Sequence, residues 1–273
     1  MKFASLFGRV LVTAWFVPGV ALALTMEPAI AQLPAGFVYL RNVDPTIAQD
    51  IRYASSNNFV GRPLPGYEAA ECVVRQEVAA ALKRAQASLA ASGLSLKVYD
   101  CYRPTRAVHA MAAWAHDGRS GAPTKRFFPQ LQKSSLFALG YISPHSQHST
   151  GIAVDLTLIR AASAPVAEFD PRAAYGACTA PAAERSPDNS VDMGTGYDCF
   201  DNRSHTASGG LSAEQRRWRN TLLDAMRRQG FYNYHREWWH FSYSGSHRGA
   251  YDFPIRPLSA APPSASVPVA GGR

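Results

Sequence analysis

Apolar positions recur along this chain at two periods, and each period marks out elements. From Glu71 to Ser92, the residues Val74, Val78, Leu82, Ala85 and Leu89 fall on one helical face, and Gly93 supplies a C-terminal stop, so a helix is predicted there. Leu94, Leu96 and Val98 then alternate with Ser95, Lys97 and Tyr99, a strand pattern ending at Asp100. Pro104 sits where a new helix can begin, with Val108, Met111, Ala112 and Ala115 on its inner face, and a Gly/Pro-rich loop follows around Ser120 to Pro123. Alternation returns at Ile152, Val154, Leu156 and Leu158, interleaved with Ala153, Asp155 and Thr157, and predicts a second strand. Residues 161–208 are rich in Ala, Pro, Asp, Asn and Gly and read as loop. Ser212 and Gln215 form a capping box for a helix carrying Trp218, Leu222 and Met226 and stopped by Gly230. The aromatic segments Phe231–Tyr234 and Trp238–Tyr243 read as strands. Helices and strands mix without a regular βαβ alternation and without an internal repeat, which predicts an α+β domain.

The two ends follow other rules. Lys2 and Arg9 precede an apolar run from Val10 to Leu24, and Ala29-Ile30-Ala31 stands before Gln32. A charged start, a short hydrophobic stretch and an A-x-A site predict a secretory signal over residues 1–31, with Ala21-Leu22-Ala23 as a second cleavage site. The run is shorter than the ~20 apolar residues a membrane span needs, and Pro18 interrupts it. No later stretch is apolar enough to span, so the mature protein is expected in the periplasm or outside the cell. The Pro/Ala/Ser/Gly tail at 259–273 is expected to be disordered. What remains, 32–258, has the length of one well-buried domain.

Charge and cysteines refine this picture. The 28 Lys and Arg against 20 Asp and Glu make the chain basic, but no dense basic cluster interleaves with aromatics, so nucleic acid is not an expected partner. No obligatory protein partner is evident either. Four cysteines in an oxidising compartment point to disulfides, and of the three pairings they allow, spacing favours Cys72–Cys101 with Cys178–Cys199. A helix of about 20 residues opened by Cys72 covers ~30 Å, and the strand closed by Cys101 runs back along it, so the ends can meet. No C-x-x-C occurs, which argues against a cysteine metal site.

Two segments carry candidate chemistry: Ser146-Gln147-His148-Ser149-Thr150-Gly151-Ile152-Ala153-Val154-Asp155 and Glu237-Trp238-Trp239-His240. Imidazole and carboxylate both ligate zinc, and a catalytic site needs three protein ligands with one position left for water. His148 precedes a turn that Gly151 permits, and Asp155 interrupts an otherwise apolar strand, where a buried carboxylate needs a positive partner. His240 offers a third ligand and Glu237 a proton acceptor, although residues three apart on a regular strand face opposite sides, so a bulge or turn must intervene. His145 is a weaker rival to His148, and His205 is a candidate to orient a ligand or Asp201.

The pattern S-x-H-x-x-G-x-A-x-D followed by E-x-x-H resembles the zinc D,D-peptidases, and Glu-Trp-Trp-His resembles their D-Ala-D-Ala dipeptidase branch, the VanX type. Further matching segments are Arg52-Tyr53-Ala54, Gly66-Tyr67-Glu68, Asp100-Cys101-Tyr102-Arg103-Pro104, Tyr197-Asp198-Cys199-Phe200-Asp201, Arg203-Ser204-His205 and Tyr251-Asp252-Phe253-Pro254. The resemblance implies a single α+β domain of the hedgehog/D,D-peptidase type, with a central antiparallel sheet flanked by helices. It implies one zinc per chain held by His148, Asp155 and His240, with Glu237 as general base and acid and Arg103 stabilising the oxyanion. It further implies that Ser146 and Tyr67 hold the substrate carboxylate, that Tyr53 and Asp198 hold its ammonium, and that the substrate is a small dipeptide. A D,D-carboxypeptidase of peptidoglycan stems is the alternative within enzymes. A zinc-bearing binding module without turnover, as in the related hedgehog domain, is disfavoured by the intact Glu237 and Arg103. Compared with the compact cytoplasmic members, this chain adds the leader, the cysteines and an enlarged loop before Asp198.

Overall fold

The computed structural model describes residues 33–163, 165–245 and 249–258. The expected leader and the Pro/Ala-rich tail lie outside the described residues. In chain order the main elements are β1 (Phe37–Tyr39), α1 (Leu40–Val43), β2 (Ala48–Gln49), β3 (Val73–Arg75), α2 (Gln76–Ala90), β4 (Leu94–Asp100), α3 (Thr105–Ala115), β5 (Ala153–Arg160), α4 (Ala213–Arg227), β6 (Phe231–Asn233) and β7 (His240–Tyr243). The central sheet has the order β2-β4-β5-β7-β6, and a second sheet pairs β1 with β3. An α+β domain is therefore observed.

Three details differ from the sequence reading. The central sheet is antiparallel except at its edge, where two-residue β2 pairs parallel to β4. The helix predicted from Glu71 begins instead at Gln76, because Val73 and Val74, both β-branched, are taken up by antiparallel pairing with β1. Cys72 therefore precedes a strand rather than opening a helix. The last strand starts at His240, two residues after the predicted Trp238, because residues 234–239 form a turn.

Local rules account for the helices. Val78, Leu82, Ala85 and Leu89 bury one face of α2, and Gly93 adopts a φ of 67° just beyond its end. At the start of α4 the Ser212 side chain accepts from Gln215 N–H, and the Gln215 side chain accepts from Ser212 N–H, the reciprocal capping box that the sequence predicts. Arg219, on the buried face of α4, is fully enclosed and donates to the carbonyls of Met193, Arg203 and His205. A single guanidinium thus fastens the helix to the loop region, with an acceptor at each of its three nitrogens.

Every residue of β4 and all but the last of β5 are buried, although both strands alternate polar and apolar residues. Ser95 is met by Gln86 of α2, and Lys97 and Tyr99 are covered by the enlarged loop. Asp188 of that loop accepts from Lys97 Nζ at 2.6 Å, Tyr99 Oη at 2.6 Å and Arg52 Nη2 at 2.9 Å. Burial pushes the Asp188 carboxyl up, but Lys97 and Arg52 outweigh it and hold the group below the usual carboxylate range. The Cys178–Cys199 disulfide closes the same loop, and Cys72–Cys101 joins the segment before β3 to the end of β4. Both are the pairings favoured by spacing.

Candidate active site

The site grows from the middle of the sheet. Between β4 and β5 the register slips after Val98, so that Asp100 rather than Tyr99 lies opposite Asp155, and Asp155 in turn lies opposite His240 on β7. Three polar side chains thereby form a row across adjacent strands. A bulge that re-aims a side chain is a common device beside functional sites. His148 enters from a 3-10 turn, Gln147–Thr150, ended by Gly151 at φ 81°. A Cβ at Gly151 would sit 2.3 Å from the Phe37 ring, so both the backbone angle and the space demand glycine.

His148 Nε2, His240 Nδ1 and Asp155 Oδ1 converge. Their separations are 3.1 Å between the imidazoles, 3.2 Å from His148 to the carboxylate and 3.1 Å from His240 to it. A tetrahedral zinc with bonds of about 2.0–2.1 Å sets its ligand atoms about 3.3–3.4 Å apart, so this triangle fits the ion with little adjustment. The donors are also prepared for it. His148 Nδ1 lies 2.7 Å from the Cys101 carbonyl, an acceptor only, which puts the ring proton on Nδ1 and leaves a lone pair on Nε2. Burial pushes the His240 imidazole below its usual pKa, toward the neutral form that ligates. Asp155 is buried; burial pushes it up, yet the two imidazoles prevail and keep the carboxyl ionised. Its second oxygen accepts from Tyr197 Oη at 2.9 Å, which leaves Oδ1 for the shared point.

Glu237 stands beside the triad, its Oε2 3.9 Å from His240 Nδ1. The turn between β6 and β7 removes the conflict of facing. Glu237 N–H donates to Tyr234 O, and Asn233 Nδ2 donates to the carbonyls of both Glu237 and His240 at 2.9 Å. The chain reverses within those residues, and both side chains reach the same groove. Burial, then the like charges of Asp155 and Asp198, push the Glu237 carboxyl well above its ordinary value, with Arg103 opposing. The shift favours the protonated form of this carboxyl, and a perturbation of that kind in a groove is a mark of a proton-transfer group.

The groove is lined by Tyr53, Arg103, Ser146, His148, Asp155, Asp198, Glu237 and His240, among others, with a cavity volume of ≈ 470 Å³. Eight of the nine residues expected in the site on metal, catalytic or substrate grounds are therefore brought together. Tyr67 is the exception: it does not line the groove, and its buried hydroxyl donates to Asp100 Oδ1 at 2.5 Å. Asp198 is buried, accepts from Tyr53 Oη at 2.9 Å and adopts a φ of 54°. It is the one non-glycine among the described residues with positive φ, a strained backbone of the kind that persists where a side chain must be aimed. Its carboxyl is pushed well up by burial and by Asp155. His145 is exposed at the groove's rim. His205 does not line it, and Asp201 instead caps the turn Asn202–Ser204.

Sequence reasoning missed Asp100, Tyr197 and Asn233 as supports of the site. Asp100 carried a readable signal, a carboxylate at the end of a buried strand. Tyr197 stood only within a family-matching segment, with no role attached, and Asn233 carried no signal, since their partners are distant in sequence or are backbone carbonyls.

A mixed sheet thus presents a His-Asp-His triangle that could hold a metal ion, with a glutamate beside it, and the relatives of this chain are peptidases. It belongs to the peptidase M15 family of D-Ala-D-Ala dipeptidases, whose profile matches residues 34–170 and 168–256. It is 30% identical over 226 residues to a D-alanyl-D-alanine dipeptidase of Enterococcus faecium, covering 81% of this chain and 98% of that one. A D-alanyl-D-alanine dipeptidase of Streptomyces coelicolor is 31% identical over 80% of this chain and 98% of its own. One of Escherichia coli is 28% identical over 75% and 82%. A solved vancomycin-resistance D,D-pentapeptidase VanY in complex with Zn(II) overlaps 73% of this chain and 88% of its own at 14% identity and a TM-score of 0.33, too distant a likeness to build on.

Proposed function

We propose that this protein is a zinc-dependent dipeptidase that hydrolyses D-Ala-D-Ala to two D-alanines outside the cytoplasm. The observation that carries the reading is the triangle of His148, Asp155 and His240 with Glu237 at its side and Asp198 buried in the same groove. One zinc held by the three ligands would supply a Lewis acid that brings the pKa of a water down to about 7. Glu237 then takes the proton of the attacking water and passes it to the departing amine, a double role its raised pKa supports. Arg103 faces the carbonyl oxygen as negative charge develops there, so its contact strengthens toward the transition state. Asp198, with Tyr53 behind it, pairs with the substrate ammonium, and Ser146, on the groove wall, takes the carboxylate.

Two disulfides suit an oxidising compartment. None of the described helices is long and apolar enough to cross a membrane. A role in cell-wall turnover or D-alanine recovery follows from the substrate.

A second reading, a D,D-carboxypeptidase of stem peptides, is favoured by one observation: the groove of ≈ 470 Å³ is roomier than a dipeptide of two alanines requires. Incubating the purified, zinc-loaded protein with D-Ala-D-Ala and, separately, with a pentapeptide stem decides between them. Release of D-alanine from the dipeptide alone supports the first reading.

A further inference from the structure

Asp100 is fully buried, and the reaction scheme leaves it without a task. A carboxylate in that position destabilises the fold unless it is thoroughly paired. It is paired on both oxygens. Oδ2 accepts from Arg103 Nε at 2.9 Å and lies 2.8 Å from Arg103 Nη2. Oδ1 accepts from Tyr67 Oη at 2.5 Å. His148 Nδ1, whose hydrogen bond goes to Cys101, lies 3.4 Å from Oδ2.

The consequence falls on Arg103. Two of its three nitrogens face Asp100, Nη2 also lies 3.6 Å from Asp155 Oδ2, and its guanidinium carbon sits 4.8 Å from the centre of the Tyr53 ring. The remaining nitrogen, Nη1, has Met111 Sδ as its recorded neighbour, at 3.7 Å, and both residues line the groove. A guanidinium gripped along one edge presents the other edge in a fixed direction, since the group is planar. The register slip in β4 brings Asp100 into the same row as Asp155 and His240, so the grip and the metal triangle share one rigid support.

We propose that Asp100 and Tyr67 form a buried brace that positions Arg103, holding its Nε and Nη2 edge so that the guanidinium keeps a fixed direction toward the reacting carbonyl. Tyr67 is then a positioning residue, in place of the substrate-carboxylate contact that the family resemblance implies for it. The inference rests on the reading of Arg103 as the group that stabilises the oxyanion.

The test uses the zinc-loaded mature protein and four variants: Tyr67→Phe, Asp100→Asn, Arg103→Ala and the double variant Asp100→Asn/Arg103→Ala. Zinc content, kcat and KM for D-Ala-D-Ala are measured, and guanidinium ion is added to the two variants lacking Arg103. A displacement of a catalytic group by about 1 Å costs on the order of 10²-fold. Asp100→Asn should accordingly lose about 10- to 100-fold in kcat, and Tyr67→Phe less, with KM nearly unchanged and zinc retained in both. The double variant should be no slower than Arg103→Ala. Guanidinium should restore activity to Arg103→Ala and not to the double variant, because Asp100 is what holds the ion. If Asp100→Asn does not fold, Tyr67→Phe and the rescue of Arg103→Ala still decide. A raised KM at unchanged kcat in Tyr67→Phe overturns the brace and returns Tyr67 to the substrate carboxylate. Independent, multiplying losses in the double variant, or no rescue of Arg103→Ala, overturn it as well. A wild-type protein that cleaves neither D-Ala-D-Ala nor a stem peptide overturns the functional reading itself, and the proposal with it.

Discussion

Asp155 stands directly opposite His240 across the β5–β7 ladder, and its Oδ1 lies 3.1 Å from the His240 Nδ1. A cross-strand pair is among the stiffest ways to hold two donors at one distance, because the sheet fixes both backbones. The second carboxylate oxygen, taken by Tyr197, sets the angle.

Metal content is the first expected outcome. His148→Ala, Asp155→Ala and His240→Ala should each lose zinc and activity together, and a chelator should abolish activity that added zinc restores. Tyr197→Phe should keep a metal site but weaken it by about 10- to 100-fold, as removal of a partner that orients a ligand does. Competition with a chromophoric chelator measures the affinity. Unchanged affinity in Tyr197→Phe contradicts its orienting role.

Glu237 separates chemistry from metal binding. Glu237→Gln preserves size and removes the proton acceptor, so zinc should remain at about one per chain, consistent with a three-ligand catalytic site. The rate should fall by about 10²–10⁴-fold. Loss of zinc from that variant makes Glu237 a ligand and defeats the assignment.

The enlarged loop carries a stability prediction with a defined sign. Asp188 has its pKa depressed in the folded state through Lys97 and Arg52, although burial alone would raise it. Its contribution is therefore present above the unfolded carboxylate value of about 3.9 and is lost as pH falls below it. Breaking such a cluster leaves Lys97 and Arg52 buried with, among the described residues, only the more exposed Asp50 as carboxylate partner. Asp188→Asn should cost on the order of 2–4 kcal/mol at pH 7, somewhat below the full penalty for a broken buried pair, because its side chain keeps 20% exposure. Urea unfolding of both proteins across pH should show the gap closing at acid pH. A gap that is constant with pH contradicts the electrostatic origin.

Much of this arrangement is written locally in the sequence. Asp155 was readable because a carboxylate interrupting Val154 and Leu156 demands a partner, and His148 because Gly151 marks the turn beside it. The strand Leu94–Asp100 and the Ser212–Gln215 cap follow their patterns residue for residue. What escaped is non-local. The pairing of Val73 and Val74 with β1 overrides the helical period from Glu71, and nothing within that window announces the partner. The slip at Val98 that brings Asp100 opposite Asp155 depends on two strands more than fifty residues apart. The spacing of Glu237 and His240 left bulge and turn open, and the turn was fixed by Asn233, whose amide ties their two carbonyls.

The central claim is that the groove takes a free dipeptide, and Asp198 is the residue on which it turns. A zwitterion offers it an ammonium, and the charge-assisted hydrogen bond is stronger than a neutral one. An acylated peptide places a neutral amide there and leaves a buried acid without its counter-charge, which corresponds to discrimination of at least ~10²-fold at ~1.4 kcal/mol per decade. The deciding measurement is kcat/KM for D-Ala-D-Ala and N-acetyl-D-Ala-D-Ala on the wild type and on Asp198→Ala. The account predicts efficient cleavage of the dipeptide, scarcely any of the acetylated peptide, and a gap that narrows in the variant through loss on the dipeptide. Equal or faster cleavage of the acetylated peptide by the wild type contradicts it and makes the protein a carboxypeptidase.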